Sequence, residues 1–127
     1  MEKFVNKQPA GCRSIDEIRE QIDLLDQKVI EALGLRFQFV KEVVKYKKPD
    51  AASIKAEDRY NKVLAVRRQW AHESGLDPDI IEKVYRTLMD YFISQEMKII
   101  TNDKWRITNE MTLGILNMLV VLIKANN

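Results

Sequence analysis

Residues 14–47 read SIDEIREQIDLLDQKVIEALGLRFQFVKEVVKYK, and the periodicity inside this stretch decides the fold class. Ile15, Ile18, Ile22, Leu25, Val29, Leu33, Phe37, Val40 and Val44 recur every three or four residues, the spacing that aligns one face of an α-helix. At its head, Ser14-Ile15-Asp16-Glu17 has the form of a capping box. In that motif the serine accepts from the third helical amide and the glutamate reaches back. Gly34 is the irregular member; it costs about 1 kcal/mol relative to alanine without breaking a well-packed helix. Pro49 then closes the pattern, because its ring disfavours helix in the residue before it. The spacing predicts a first helix over 14–47.

Outward from this stretch, Asp50-Ala51-Ala52-Ser53 reads as a connecting loop and 55–73 as a second helix, with Tyr60, Val63, Leu64, Arg67 and Trp70 along one side. Ser74-Gly75 supplies a C-terminal cap, and Asp77-Pro78 an N-cap with proline at the first helical position. A third helix follows to about residue 101, carrying Ile81, Val84, Tyr85, Leu88, Phe92 and Ile99. Thr108-Asn109-Glu110 predicts the start of a separate fourth helix through residue 124. No internal repeat, low-complexity tract or strand signal is present. The expectation is an all-α chain.

Composition narrows the function classes. With 127 residues the chain is long enough to bury a core without disulfides or a metal. Lys and Arg number 21 against 19 Asp and Glu, a net charge of +2, too small a surplus to argue for nucleic acid. The single Cys12 and single His72 rule out an internal disulfide, a cysteine metal site and a histidine cluster; His72 reads as a helix-surface residue. Residues 1–11 lack the apolar core of a secretory signal. The longest apolar run, 111–123, is interrupted by Asn117 and falls short of the roughly 18 residues of a spanning helix. A cytoplasmic protein with no membrane partner is expected.

Length adds a constraint. A helix over 14–47 is about 50 Å long, whereas a compact globule of this size is only about 36 Å across. The helix overhangs its own domain, and its apolar stripe needs a partner. A coiled-coil or helical interaction module satisfies that need, and so does an enzyme whose site is shared between protomers. Three cations lie along the stretch. Arg36 and Lys47 are eleven residues apart, three turns, on nearly one face about 16 Å apart if both are helical. Arg19 stands about 25 Å from Arg36 and is turned by roughly 100°, so it reaches the same site only from a second, antiparallel copy. Such cations on long helices are usually solvated, and charge placement alone does not separate the two readings.

The ordered motifs do. Ile18-Arg19-Glu20-Gln21-Ile22-Asp23-Leu24-Leu25-Asp26, then Leu33-Gly34-Leu35-Arg36, then Val43-Val44-Lys45-Tyr46-Lys47 resemble the all-helical chorismate mutases, which show Arg-x-x-Ile-Asp-x-x-Asp, Leu-x-x-Arg and a lysine near the helix end. The resemblance continues through Asp58-Arg59, Trp70-Ala71 and Ser74-Gly75-Leu76-Asp77 to Tyr91-Phe92-Ile93-Ser94-Gln95-Glu96, covering about residues 12–104. Within that family the chain is most similar to the isochorismate pyruvate lyases of salicylate and siderophore synthesis. The resemblance implies a three-helix protomer with a long first helix in an intertwined homodimer, over residues 1–104. Residues 105–127 are then a C-terminal extension, with an extra helix possible.

The resemblance also implies roles. Arg19 from the partner chain and Arg36 hold the two substrate carboxylates, and Lys47 donates to the ether oxygen whose C–O bond breaks. Arg59 matches the family's additional arginine. Glu96 stands where the family has Gln or Glu facing the same oxygen, with Gln95 as the alternative after a one-residue shift. Ile54 lies near the ring, and Phe92, one turn before Glu96, lines the pocket. No metal or cofactor is implied: the substrate is a small dicarboxylate, isochorismate or chorismate, and the reaction is pericyclic. The mutases usually follow their second-helix arginine with a glutamate that binds the ring hydroxyl of chorismate, whereas Tyr60 follows Arg59 here. This favours a lyase, with weak mutase activity alongside. A mutase and a non-catalytic helical dimer are the alternatives. Trp70, Tyr85 and Phe92 are otherwise expected in the core, and Lys45 and Lys48 at the surface.

Overall fold

The computed structural model describes residues 4–48 and 50–126, without the side chains of residue 51 and residues 103–110. Pro49, expected to end the first helix, lies outside the described residues. The described chain is helical and holds no strand. A 3-10 turn, Pro9–Gly11, precedes α1 (Ile15–Val44), α2 (Ala51–Lys55), α3 (Glu57–Glu73) and α4 (Pro78–Ala125). The chain divides into two compact units, residues 1–42 and 43–127.

In the first unit Ser14 caps α1 as its sequence requires, its Oγ accepting from the Glu17 N–H at 3.1 Å. Glu17 reaches back one residue further than a capping box predicts, taking the Arg13 N–H at 2.6 Å. The apolar stripe forms but stays in contact with water: Ile15, Ile18, Ile22, Leu25 and Val29 are all exposed. The buried residue of α1 is polar, Gln21.

The helix ends earlier than expected. Tyr46 and Lys47 bond back to the carbonyls of Val43 and Val44, so 45–47 form turns. These shorter i to i+3 bonds tighten and stop the helix. Lys47 therefore lies past the helical register, and the three-turn spacing from Arg36 does not apply to it.

In the second unit Asp50-Ala51-Ala52-Ser53 is not a loop. Asp50 caps α2, its carboxylate accepting from the Ser53 N–H at 2.7 Å and the Ser53 hydroxyl at 3.2 Å. Those donors hold the Asp50 carboxyl below its usual range. Ala56 joins α2 to α3 with φ at 49°, a left-handed conformation uncommon without glycine. The α3–α4 corner follows its sequence. Gly75 takes φ of 75°, its N–H bonds to the His72 carbonyl, and the Leu76 N–H bonds to Ala71. This is the paired-bond ending that glycine favours after a helix. Asp77 then caps α4 by accepting from the Asp79 N–H at 2.9 Å.

The core of this unit joins Tyr60, Val63 and Leu64 of α3 to Met89 of α4, with Tyr85 and Ile93 packed against them. Trp70, expected inside, is half exposed, with the Arg67 guanidinium 4.5 Å over its ring. His72, Lys45 and Lys48 are exposed, as expected.

The expected break near residues 102–108 is absent: α4 is one helix of 48 residues, about 72 Å at 1.5 Å per residue. Thr108-Asn109-Glu110 read as a cap, but its side chains lie outside the described residues and its backbone is helical. Nothing between Pro78 and Gly114 is Pro or Gly. Thr and Asn inside a helix cost only about 0.7 kcal/mol each, less than restarting a helix nucleus.

Candidate active site

The chemistry gathers in the second unit, around Lys47. The turn after α1 sends its ammonium to Glu96 Oε2 at 2.9 Å and to the Ile54 carbonyl at 2.6 Å. Three segments make this meeting. The 45–47 turn supplies the lysine, α2, packed on α4, supplies the Ile54 carbonyl, and α4 supplies the carboxylate. Ile54 and Glu96 are buried, at 4% and 5% exposure, and the Lys47 side chain retains 20%. The ion pair thus lies mostly out of water, where removal of either partner leaves an uncompensated charge. An ammonium has three N–H donors; two are taken here, and one is left for an oxygen on an incoming molecule. This arrangement can present a fixed positive charge and a directed hydrogen bond to a leaving oxygen.

Glu96, rather than its neighbour Gln95, carries the contact with Lys47. Phe92, one turn earlier, is buried, its ring tilted against Tyr91 at 5.3 Å between centroids. Arg59 is exposed in the first turn of α3. Arg19 and Arg36 belong to the first unit, Arg19 exposed and Arg36 half-buried. The structure therefore brings Lys47, Ile54 and Glu96 together, with Phe92 beside them on α4, and leaves Arg59 at the surface. Among the described residues no group of three His, Cys, Asp or Glu side chains is placed to hold a metal.

Tyr60, next to Arg59, points elsewhere. Its ring is in the core at 5% exposure and its hydroxyl donates to Asp90 Oδ1 at 2.8 Å. Burial, then the bond to Asp90, raises the phenol above its ordinary pKa. Nothing in the sequence flagged Asp90 or the Ile54 carbonyl: the first is 30 residues from its partner, and the second is backbone.

The chorismate mutase type II family matches residues 18–97, which takes in every one of these groups. The chain belongs to that family. This chorismate mutase-type enzyme is 35% identical over 92 residues to the isochorismate pyruvate lyase of Pseudomonas aeruginosa, covering 72% of this chain and 90% of that protein. It is also 36% identical over 72 residues to the T-protein of Enterobacter agglomerans, and 33% over 76 residues to that of Haemophilus influenzae. These last matches span only 19% and 20% of the T-proteins' length. The all-α fold and the enzyme class expected from the motifs are those of the family.

Proposed function

We propose that this family member is an isochorismate pyruvate lyase, yielding salicylate and pyruvate without a cofactor, and that it acts in the cytoplasm in salicylate or siderophore synthesis. The observation that carries the reading is the buried Lys47–Glu96 pair pinned to the Ile54 carbonyl. In this reaction a ring hydrogen moves to the enolpyruvyl methylene while the ring C–O bond breaks, and the ether oxygen becomes the pyruvate ketone. Negative charge grows on that oxygen. The remaining N–H of Lys47 is the group to meet it, and a preorganised charge in a dry site contributes several kcal/mol there.

The other roles follow the dicarboxylate. Arg36 and the partner subunit's Arg19 grip one carboxylate each, since guanidinium groups match carboxylates bidentately. Arg59 adds a further cation, and Ile54 and Phe92 offer apolar surface to the ring. A homodimer with shared sites is supported by the exposed stripe of α1, which needs a long apolar partner. We take residues 1–104 as the catalytic domain and 105–127 as an extension.

Tyr60 supports lyase over mutase. Its hydroxyl is committed to Asp90, so position 60 offers no carboxylate to the ring hydroxyl of chorismate. A chorismate mutase is the second reading, favoured by the family itself and by the T-protein matches. The deciding experiment supplies isochorismate and chorismate separately, following salicylate fluorescence and chorismate loss. Salicylate from isochorismate, abolished by Lys47→Ala, establishes the lyase. Prephenate without salicylate makes the chain a mutase, and neither product leaves a helical dimer that has lost the chemistry.

A further inference from the structure

The buried residue of α1 takes no part in the chemistry proposed above. Gln21 is 7% exposed, and its amide is turned to the N-terminal segment. Its Oε1 accepts from the backbone N–H groups of Asn6 at 3.1 Å and Lys7 at 3.2 Å, and its Nε2 donates to Asn6 Oδ1 at 2.6 Å. One turn earlier, Glu17 takes the Lys7 ammonium at 2.8 Å and the Arg13 N–H at 2.6 Å. Glu17 and Gln21 are four residues apart, on one face of α1, and together they fasten residues 6–13 to it. Arg19 stands between them in sequence and roughly 200° around the helix, on the opposite side.

We propose that Gln21 is a positioning residue for Arg19. It fastens the first two turns of α1 against residues 6–13, so that the Arg19 guanidinium meets a substrate carboxylate from a helix end that does not fray. The inference rests on the carboxylate-binding role proposed for Arg19.

Arg19 is the fifth residue of α1. The first four N–H groups of a helix have no partner within it, and helix ends open locally at little cost. Ser14 meets one of those donors. The rest of the restraint comes from outside the helix, through Gln21 and Glu17. The fastened state holds these three bonds where an open helix end would bond to water instead, a modest net gain for each. A bidentate grip on a carboxylate needs its base held in place. Because Arg19 touches a carboxylate and not the breaking bond, the effect falls on binding and not on the chemical step.

The test compares steady-state kinetics of Arg19→Ala, Gln21→Ala, Gln21→Glu and the Arg19→Ala/Gln21→Ala double variant, on whichever of isochorismate and chorismate the enzyme turns over. Gln21→Ala raises KM roughly five- to tenfold with kcat within about twofold, the scale of one lost hydrogen-bonded anchor. Gln21→Glu keeps the acceptor for both backbone amides but sets a carboxylate oxygen against Asn6 Oδ1, so it recovers only part of that loss. The double variant has the KM of Arg19→Ala alone, because the anchor has nothing left to hold. Hydrogen exchange at amides 17–19 speeds up in Gln21→Ala while the rest of the chain keeps its protection. An unchanged KM in Gln21→Ala, or additive effects in the double variant, overturns the inference while Arg19→Ala still shows its own KM defect. An Arg19→Ala enzyme with normal KM overturns the Arg19 assignment first and the inference with it. Should Gln21→Ala fail to fold, Asn6→Ala, which removes the Nε2 bond and leaves both backbone bonds to Oε1, is expected to raise KM about two- to threefold, and an unchanged KM there overturns the inference.

Discussion

From Pro78 to Ala125 the backbone of α4 does not change, but what its side chains meet does. In the first half the inward residues come at helical spacing: Tyr85, Met89, Phe92, Ile93 and Glu96 are buried or half-buried, and they hold α3, the core and the Lys47 pair. In the second half, Met111, Leu113, Ile115, Leu116, Met118, Leu119, Val120, Val121, Leu122 and Ile123 are all exposed. The described side chains of that half are the more apolar and yet the less packed. The period of apolar residues, more than their number, marks where a helix has found its neighbours. Among the described residues no helix is long and apolar enough to cross a membrane.

The largest effect that tests this contrast lies at Glu96. In this structure the Glu96 carboxylate accepts from the Lys47 ammonium and so aims it. Glu96→Gln keeps an acceptor for that ammonium and is expected to retain most of the turnover, while Glu96→Ala costs roughly 10²–10³ in kcat. Steady-state kinetics of the three proteins decide the role. Equal kcat in all three would remove Glu96 from the chemistry.

Next in size is packing. Leu64→Ala is expected to cost about 2–4 kcal/mol in urea unfolding, the usual cost of emptying a core site. Leu119→Ala, the same truncation on the exposed half of α4, is expected to cost under about 0.5 kcal/mol. Equal losses at the two sites would show the second half packed in solution.

A smaller effect is confined to alkaline pH. The folded-state pKa of Tyr60 is raised by burial and by Asp90. The folded protein therefore keeps a proton that the unfolded chain loses near pH 10. Stability from this group is fully present below that pH and is lost as pH rises through the folded-state value. Tyr60→Phe should lose about 1 kcal/mol at neutral pH, the ordinary worth of a hydrogen bond, and lose less further stability than wild type between pH 9 and 11. Thermal midpoints across that range measure it, and parallel curves for the two proteins would remove Tyr60 as the alkaline group.

These residues also mark what the sequence disclosed. Local chemistry was legible: the Ser14 cap, the Gly75 ending and the Asp77 cap each depend on neighbours within five residues, and each formed. Lys47 stood out as a cation on the first helix, but its pairing with Glu96 was implied only by the family's motifs, since nothing local relates residues 49 apart. The Tyr60–Asp90 bond, the Ile54 carbonyl and the Gln21 anchor were hidden for the same reason, because each joins separate segments. The length of α4 was misjudged for a different one. A Thr-Asn-Glu run resembles a cap wherever it occurs, and only the rest of the helix decides whether it acts as one.

The smallest expected effect is also the sharpest test of the two halves. The match to the family ends at residue 97, one residue beyond Glu96, whereas α4 continues to Ala125. A chain ending at Asn102 retains Met89, Phe92, Ile93 and Glu96 together with the turn of helix that follows them. It loses a helical stretch whose described side chains are exposed. Turnover and oligomeric state should match the full chain within about twofold, because exposed positions away from caps and cores contribute little. Solubility should improve as the apolar surface is removed. A drop in kcat, or a change of sedimentation at equal concentration, would mean that the second half of α4 meets a neighbour in solution. That neighbour would be a second copy of the chain, since the purified protein offers no other.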